Sequence, residues 1–230
     1  KDEDGERFKV VRIDAKAFGD LKNLKNVPCT NSDLSATVAP SSKDGTASFK
    51  LELFTYCKKA KGFEIPNTVK YIGDEAFVGC EMLYEIEFPQ SVEQIGESLF
   101  EGCGNLYIVK LSDSLRNIGK RTFAECYHLD SLVIPKSVEM IGGGAFEKCF
   151  NLKKIEIPAS VSKIEKTAFY NSELEVDSAN LFYASVDGAL YNKAKDTLFY
   201  CPGEKISFSI PESVVHVEEK AFATCKYLAS

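Results

Sequence analysis

The sequence predicts an α/β solenoid, a fold built from one short unit repeated along a single axis. Phenylalanine recurs every 23 residues in the middle of the chain, and a cysteine follows it three residues later in four consecutive copies. A repeat period between about 20 and 50 residues is typical of solenoids, in which each unit packs against its neighbours. The phenylalanines are Phe77, Phe100, Phe123, Phe146 and Phe169, and the cysteines are Cys80, Cys103, Cys126 and Cys149.

Each unit contains a segment with alternating apolar residues, which predicts a short strand. In one copy the apolar residues are Leu83, Ile86 and Phe88. Such alternation is typical of a half-buried strand, and a proline ends the strand because it has no N–H for the ladder. Prolines stand at this point in four units, at Pro66, Pro89, Pro135 and Pro158.

The other half of each unit predicts a turn followed by one short helical turn. A glycine follows Ser-Val-x-x-Ile or a close variant at positions 73, 96, 119 and 142, and we expect it to adopt a positive φ. Glu165 and Glu218 replace this glycine in two units, so the requirement is not strict. The segment Ala-Phe-x-x-Cys-x-x-Leu that begins at Ala76 then places apolar residues at a spacing that suits one face of a helix.

The repeated pattern, Ile-x-Ile-Pro-x-Ser-Val-x-x-Ile-Gly-x-x-Ala-Phe-x-x-Cys-x-x-Leu, resembles the BspA-like leucine-rich repeats of bacterial and protozoan surface proteins. The resemblance is strong over residues 63–228 and weak over residues 8–27. Ser-Val-Asp-Gly-Ala-Leu-Tyr-Asn-Lys, which begins at Ser185, is similar to a cassette found inside many arrays of this family. The resemblance implies a curved leucine-rich repeat solenoid with a parallel sheet on its concave face and with short helical turns and short strands elsewhere. It also implies a domain used for binding and not for catalysis.

We expect residues 1–230 to form one solenoid domain with two interruptions. Residues 28–48 are rich in Ser, Thr and Ala and predict an inserted surface loop. Residues 176–205 predict an irregular hairpin cassette, with strands at 189–191 and 197–200 around a polar turn. The chain ends part-way through a unit without the polar cap that normally covers a solenoid end, so we expect it to be part of a longer protein.

Composition and charge exclude two classes of partner. The net charge is −6, and the 28 basic residues are scattered among 34 acidic ones, which disfavours nucleic acid. The apolar runs are much shorter than the roughly 20 residues that span a bilayer. We therefore expect no insertion of this chain into a membrane.

Six of the eight cysteines occupy the same repeat position, since Cys57 and Cys225 join the four named above. A cysteine that recurs beside a core phenylalanine is most simply a small buried hydrophobe, which favours a reduced ladder. Adjacent strands lie about 5 Å apart, within the Cα range of a disulfide, so spacing alone leaves pairing open. Cys29 and Cys201 lie outside the ladder and are not assigned.

The sequence offers little catalytic chemistry. Its two histidines, His128 and His216, occupy variable positions. A metal site formed by His128 and Cys126 is disfavoured, because Cys126 should point into the core and His128 into solvent. No phosphate-binding loop, dinucleotide motif or nucleophile elbow occurs. We expect neither an enzyme nor a cofactor or metal site.

The outward side chains of the predicted strands are the candidate binding residues, because they alternate with the buried ones and should line the concave face. Ile108 and Val133 are apolar at such positions on adjacent units. An apolar centre with a charged rim is typical of a protein-binding patch, although isolated exposed aliphatic residues are common on any surface. The candidate protein-binding residues are Glu85, Glu87, Ile108, Lys110, Ser131, Val133, Lys154 and Glu156.

The family resemblance further implies a secreted or cell-surface protein that adheres to host cell-surface or extracellular-matrix proteins. Two alternatives stay open. The chain could be a structural spacer that carries another functional domain, or an intracellular scaffold, which a reduced cysteine ladder would permit.

Overall fold

The structure is a computed structural model that describes residues 65, 67–81 and 83–229 in full, together with the backbone of residues 12–13, 38–40, 47–49 and 63–64. The predictions for Cys29, Cys57 and Pro66, and most of those for residues 8–27 and 28–48, lie outside the described residues.

The described residues contain eighteen strands of two to four residues each and no helix. The strands are β1 (Arg12–Ile13), β2 (Val38–Pro40), β3 (Ala47–Phe49), β4 (Phe63–Glu64), β5 (Tyr71–Ile72), β6 (Glu85–Glu87), β7 (Gln94–Ile95), β8 (Ile108–Lys110), β9 (Asn117–Ile118), β10 (Ser131–Leu132), β11 (Met140–Ile141), β12 (Lys154–Ile157), β13 (Lys163–Ile164), β14 (Glu173–Val176), β15 (Tyr183–Val186), β16 (Ala189–Asn192), β17 (Thr197–Tyr200) and β18 (His216–Val217).

Most of these strands form two rows of parallel pairs, and each row is built from equivalent strands of different units. One row joins β4, β6, β8 and β10, and the pair β12–β14 lies next to β10. The second row consists of β1, β5 and β7 followed by β9, β11 and β13. Each residue faces its equivalent in the next unit, as Ile86 faces Val109 and Ile72 faces Ile95. The parallel strands predicted before each proline are therefore confirmed. The second row lies where the repeat pattern predicted a turn, although short strands were expected outside the concave sheet.

A stack of phenylalanine rings forms the centre of the core. The rings of Phe77, Phe100, Phe123, Phe146 and Phe169 follow one another with centroids 5.3 to 5.8 Å apart. All five side chains are buried, and the planes of successive stacked rings lie within 20° of parallel. Stacking on neighbouring units therefore helps to bury the largest apolar side chain of each unit.

The cysteines form a second buried ladder beside the rings. Cys103, Cys126 and Cys149 are buried free thiols. Each donates a hydrogen bond to the backbone carbonyl oxygen of the phenylalanine one unit earlier, as from Cys126 to Phe100 at 3.3 Å. Burial raises the pKa of Cys126 well above its ordinary value and that of Cys149 to about 12. The buried cysteine ladder predicted from the sequence is therefore present at Cys103, Cys126 and Cys149.

The segment around each phenylalanine is a series of turns, so the expected short helical turns, and with them the α part of the α/β class, were wrong. Backbone hydrogen bonds here alternate between turns and neighbouring units: Cys103 N–H bonds to Phe100 O at 2.9 Å, whereas Phe100 N–H bonds to Thr122 O at 2.8 Å. In addition, the residue two before each phenylalanine has a positive φ, as does the residue two after it in the four units from Phe77 to Phe146; Ser98 (52°) and Gly102 (74°) are examples. Left-handed residues interrupt a right-handed helix.

Contact between units explains the glycine at two of the four positions after the second-row strands, Gly96 and Gly142, and the expected positive φ was wrong at all four. None of Gly73, Gly96, Gly119 and Gly142 has a positive φ. A Cβ on Gly142 would lie 2.6 Å from the backbone nitrogen of Lys120, which is closer than any real contact. Glu165 stands at the same repeat position, and its side chain is accommodated because the neighbouring residue of the preceding unit is Gly143, which has no side chain. Gly143 also donates its N–H to the Glu165 carboxylate at 3.0 Å.

The predicted cassette forms a small sheet that interrupts the array. Strands β15, β16 and β17 pair antiparallel in sequence order, and β17 pairs in parallel with β18 of the next unit. The two predicted strands correspond to β16 and β17, and β15 is additional. Ala189, Tyr191, Leu198 and Ala221 form a buried cluster separate from the main core. The cassette therefore joins the last unit to the array through its own sheet.

Candidate functional site

The sequence-predicted binding residues lie together on one surface, which we call the strand face. It comprises the outward side chains of β6, β8, β10, β12 and β14, with Val133, which directly follows β10. All eight predicted residues are exposed there, from Glu85 on β6 to Glu156 on β12. Alternation within each strand produces this arrangement, because Ile86, Val109, Leu132 and Ile155 point into the core between them.

Charged side chains on the strand face pair between neighbouring strands. Lys110 Nζ lies 3.0 Å from Glu87 Oε2, and Lys154 forms an ion pair with Glu175 on β14. The hydrogen bond from Lys154 to Glu175 raises the pKa of Lys154 above its ordinary value. These pairs are exposed, so solvent screens them and they contribute little to stability. They leave the charged groups available to a partner.

The two outward aliphatic residues are neighbours on a diagonal. Ile108 faces Glu85 on one side and Ser131 on the other, while Val133 follows Leu132, the partner of Val109. Val133 is 82% exposed and Ile108 is 41% exposed. Diagonal neighbours on adjacent strands are within reach of one partner side chain.

A groove of about 1150 Å³ runs along the strand face beside Val133. Leu132, Ile134, Pro135, Ile157 and Val176 supply apolar lining. Five acidic residues and three lysines surround it, namely Asp113, Asp130, Glu156, Glu175, Asp177, Lys136, Lys153 and Lys154. Of the eight predicted residues, Ser131, Val133, Lys154 and Glu156 line this groove, whereas Glu85, Glu87, Ile108 and Lys110 lie outside its lining.

Sequence reasoning missed the wall of the groove that β14 supplies. β14 begins four residues after Phe169, whereas β12 begins eight residues after Phe146, so the unit that carries β14 is shorter and its outward residues are not found by counting. The alternation Glu173-Leu174-Glu175-Val176 was the available signal. It indicates a strand with Glu173 and Glu175 pointing outward.

A second exposed feature that the sequence analysis missed is a short aromatic row. Tyr127 and Phe150 are stacked with centroids 5.7 Å apart, and Phe150 meets Tyr170 edge to face at 5.8 Å. Lys226 Nζ lies 5.9 Å from the centroid of the Tyr170 ring. The rings follow the cysteine or phenylalanine of their units directly in sequence, which places them outside the strand face.

The potential metal ligands of the described residues do not form a cluster. No set of three or more His, Cys, Asp or Glu side chains among these residues is arranged to hold a metal ion. His128 is exposed with Nδ1 2.6 Å from the carbonyl oxygen of Gly104, while Cys126 is buried. The residues described also include no helix that could cross a membrane.

Comparison with known families decides the relationship that the repeat pattern indicates. Residues 47–175 and 192–230 match the BspA type leucine rich repeat region in six copies. The chain belongs to the BspA-type leucine-rich repeat family. The stretch between the two matched segments contains β15, where the cassette leaves the repeat pattern. No curated protein matches the chain.

The BspA-type chain is similar to solved structures of bacterial leucine-rich repeat proteins. One, from Eubacterium ventriosum ATCC 27560, is 26% identical with a TM-score of 0.62 over 71% of this chain and 45% of its own. Another, from Bacteroides ovatus ATCC 8483, is 29% identical with a TM-score of 0.59 over 84% and 50%. A leucine rich cell surface protein from Faecalibacterium prausnitzii A2-165 is 30% identical with a TM-score of 0.55 over 72% and 52%. The chain spans about half the length of these proteins.

Proposed function

We propose that the strand face binds a protein partner and that the groove around Val133 is the centre of the contact. The observation that carries this proposal is the exposure of Val133, 82%, beside a groove with apolar lining. Exposed apolar surface with a polar rim is typical of interaction sites. Short parallel strands hold Val133 and its neighbours in fixed positions, so the site is already formed before a partner arrives.

The charges around the groove indicate what kind of partner surface fits. Its five acidic residues and three lysines give the lining a net charge of −2. A complementary partner presents an apolar side chain to Val133 with basic residues around it. Rim charges of this kind mainly set the association rate and the orientation, while the buried apolar contact supplies the affinity.

The finer proposal concerns the setting. The BspA-type family and the similarity to a cell surface protein of Faecalibacterium prausnitzii support a secreted or cell-surface location. We infer that the partner is a host cell-surface or extracellular-matrix protein, that the contact is adhesive, and that binding involves neither catalysis nor a cofactor. This inference rests on the family, because a fold alone does not fix a ligand.

The test is binding of the chain to a panel of immobilised matrix and cell-surface proteins. The variant Ile108→Glu/Val133→Glu places one charge in the groove, at Val133, and one on the neighbouring strand, at Ile108. Val215→Glu is the matched control, because Val215 is 85% exposed and lies outside the strand face. Thermal unfolding of all three proteins establishes that the exposed substitutions leave the fold intact.

Saturable binding that the double variant loses by at least about tenfold, and that Val215→Glu retains, supports the proposal; tenfold corresponds to about 1.4 kcal/mol. Equal losses in both variants would point to a general charge effect and contradict it. Binding to no member of the panel would favour a structural spacer that carries another functional domain.

A further inference from the structure

The turn side of the solenoid has a gap at the point where the cassette replaces a regular unit. In a regular unit the phenylalanine stands five positions after the last residue of the second-row strand, as Phe123 does after Ile118. In the cassette, Leu198 takes the position of the second-row strand residue, because it pairs with Val217. Cys201 takes the place of the phenylalanine, because its N–H bonds to Ala221 O at 2.8 Å as Phe100 N–H bonds to Thr122 O. Cys201 stands only three positions after Leu198. Two residues of the turn are therefore missing between the units of Phe169 and Phe222.

A pocket of about 380 Å³ fills the space that those residues leave. Its floor is aromatic and apolar, with Phe169, Leu190, Phe199 and Tyr200 among the lining residues. The segment around Lys166 forms one wall and the segment around Glu218 the other, and Lys166 Nζ reaches Glu218 Oε2 at 3.0 Å. Because the shortened cassette supplies no turn between these walls, we expect their backbones to lie about two strand spacings apart, about 10 Å, which leaves room for one extended chain.

Backbone groups on the two walls lack the partners that regular units provide. In regular units the N–H two residues before the phenylalanine bonds to a carbonyl of the next unit, as from Ser98 to Lys120 O at 2.7 Å. Thr167 occupies this position with the same positive φ, 63°. Among the described residues, neither Thr167 N–H nor the equivalent acceptor, Glu219 C=O, has a hydrogen-bond partner. An inserted peptide would satisfy both, because it offers an acceptor to one wall and a donor to the other.

We propose that this gap binds a short extended peptide segment of a partner protein, with an apolar side chain on the aromatic floor. Addition of a strand to unpaired backbone groups is an established mode of peptide recognition. Four glutamates and two lysines line the pocket, a net charge of −2, so the segment carries basic residues beside its apolar one. The pocket shares no lining residue with the groove on the strand face, so this site is independent of the proposed function.

The probes are three capped tripeptides: acetyl-Lys-Phe-Lys-amide, the same peptide with N-methylphenylalanine, and acetyl-Lys-Glu-Lys-amide. Binding is followed by titration with detection of the backbone amide resonances of the protein, including that of Thr167. Ala223→Trp fills the pocket from its exposed rim, and Ala223→Ser is the matched control.

The first peptide should shift the Thr167 amide resonance, and Ala223→Trp should weaken its binding at least about tenfold while Ala223→Ser stays within about twofold. The N-methylated peptide should bind about fivefold more weakly, because it cannot donate to Glu219. Equal binding of the phenylalanine and glutamate peptides, or equal binding to the wild type and Ala223→Trp, overturns the proposal. Failure of the first peptide to bind at millimolar concentration also overturns it, and leaves the proposal for the strand face untouched.

Discussion

The thiol of Cys149 donates a hydrogen bond to the backbone carbonyl oxygen of Phe123, 3.0 Å away in the preceding unit. Cys103 and Cys126 make the same bond to Phe77 and Phe100. The cysteine position therefore does more than fill space, because its side chain also ties each unit to the one before. Cysteine combines a small apolar volume with a weak donor, which explains its recurrence here.

Replacement of Cys149 by serine should reduce the loss of stability at alkaline pH. The thiol titrates near pH 8.5 in the unfolded chain, whereas burial raises its folded pKa to about 12. Its contribution to stability is thus complete below about pH 8.5 and is lost as pH rises towards 12, by up to about 1.4 kcal/mol per pH unit. Urea unfolding of the wild type and Cys149→Ser between about pH 8 and 10 measures how steeply the unfolding free energy of each protein falls with pH. Identical slopes would contradict the assignment.

Substitution of alanine for Gly142 should destabilise the array by about 3 kcal/mol, because the added Cβ overpacks the backbone. It would lie 2.6 Å from Lys120 N and 2.7 Å from Gly119 C, neither of which can move without its whole unit. Gly104→Ala is the matched control, since its Cβ meets only the Tyr127 ring at 3.3 Å. Denaturant unfolding of the two variants makes the comparison. A Gly142→Ala protein as stable as Gly104→Ala would show that contact between units does not fix this glycine.

The periodicity of the sequence was sufficient to predict the strands and the ladders. Residues such as Ile86, Phe100 and Cys126 recur at fixed positions because each packs on its own equivalent, so one correct unit predicts the others. The helical turn was wrong because the spacing from Ala76 to Leu83 records only which residues are buried. The spacing does not reveal that every second backbone N–H in this segment bonds to the next unit instead of to its own turn, which a helix does not allow.

The candidate site was predicted only in part, for a related reason. Val133 and Lys154 follow from strand alternation and line the groove. Glu175 and Asp177 come from the shortened unit before the cassette, where the count from the phenylalanine no longer holds. The gap beside Lys166 likewise arises because the turn of the cassette is two residues shorter than that of a regular unit. The sequence does not show this, because it does not reveal that Cys201 takes the place of a phenylalanine.

Two opposite substitutions at one repeat position should change stability in opposite directions. Gly144 and Thr167 both have positive φ, 65° and 63°, and both lie two residues before the phenylalanine. Such a conformation costs a non-glycine residue about 1 kcal/mol, and more for a β-branched one. Thr167→Gly should therefore stabilise the protein by about 1 kcal/mol and Gly144→Ala should destabilise it similarly. Thermal unfolding tests both, and a loss of stability in Thr167→Gly would contradict the strain argument.

Replacement of Arg121 should reduce stability more than replacement of a more exposed arginine, because Arg121 joins three consecutive units. Its guanidinium contacts both carboxylate oxygens of Glu101, at 2.9 and 3.1 Å, and also pairs with Glu147. Arg121 is 37% exposed, so screening limits the effect of Arg121→Met to about 0.5–1 kcal/mol near pH 7. The free energy of unfolding of Arg121→Lys should lie between those of the wild type and Arg121→Met, because lysine keeps the charge but cannot contact both carboxylate oxygens of Glu101 at once. Arg116→Met is the control, since the ion pair of Arg116 with Glu139 is more exposed.

The dependence of unfolding free energy on acidic pH distinguishes the ion pair between Arg121 and Glu101 from the packing of the arginine side chain. The hydrogen bond from Arg121 lowers the pKa of Glu101 below its ordinary value. The stability that Glu101 contributes is therefore present above its unfolded pKa, about 4.3, and is lost as pH falls through the lower folded pKa. Wild type and Arg121→Met should converge in unfolding free energy as pH drops below about 4, which urea unfolding at several acidic pH values measures. A difference that persists at low pH would assign the effect to the packed aliphatic part of the arginine, which methionine replaces only in part.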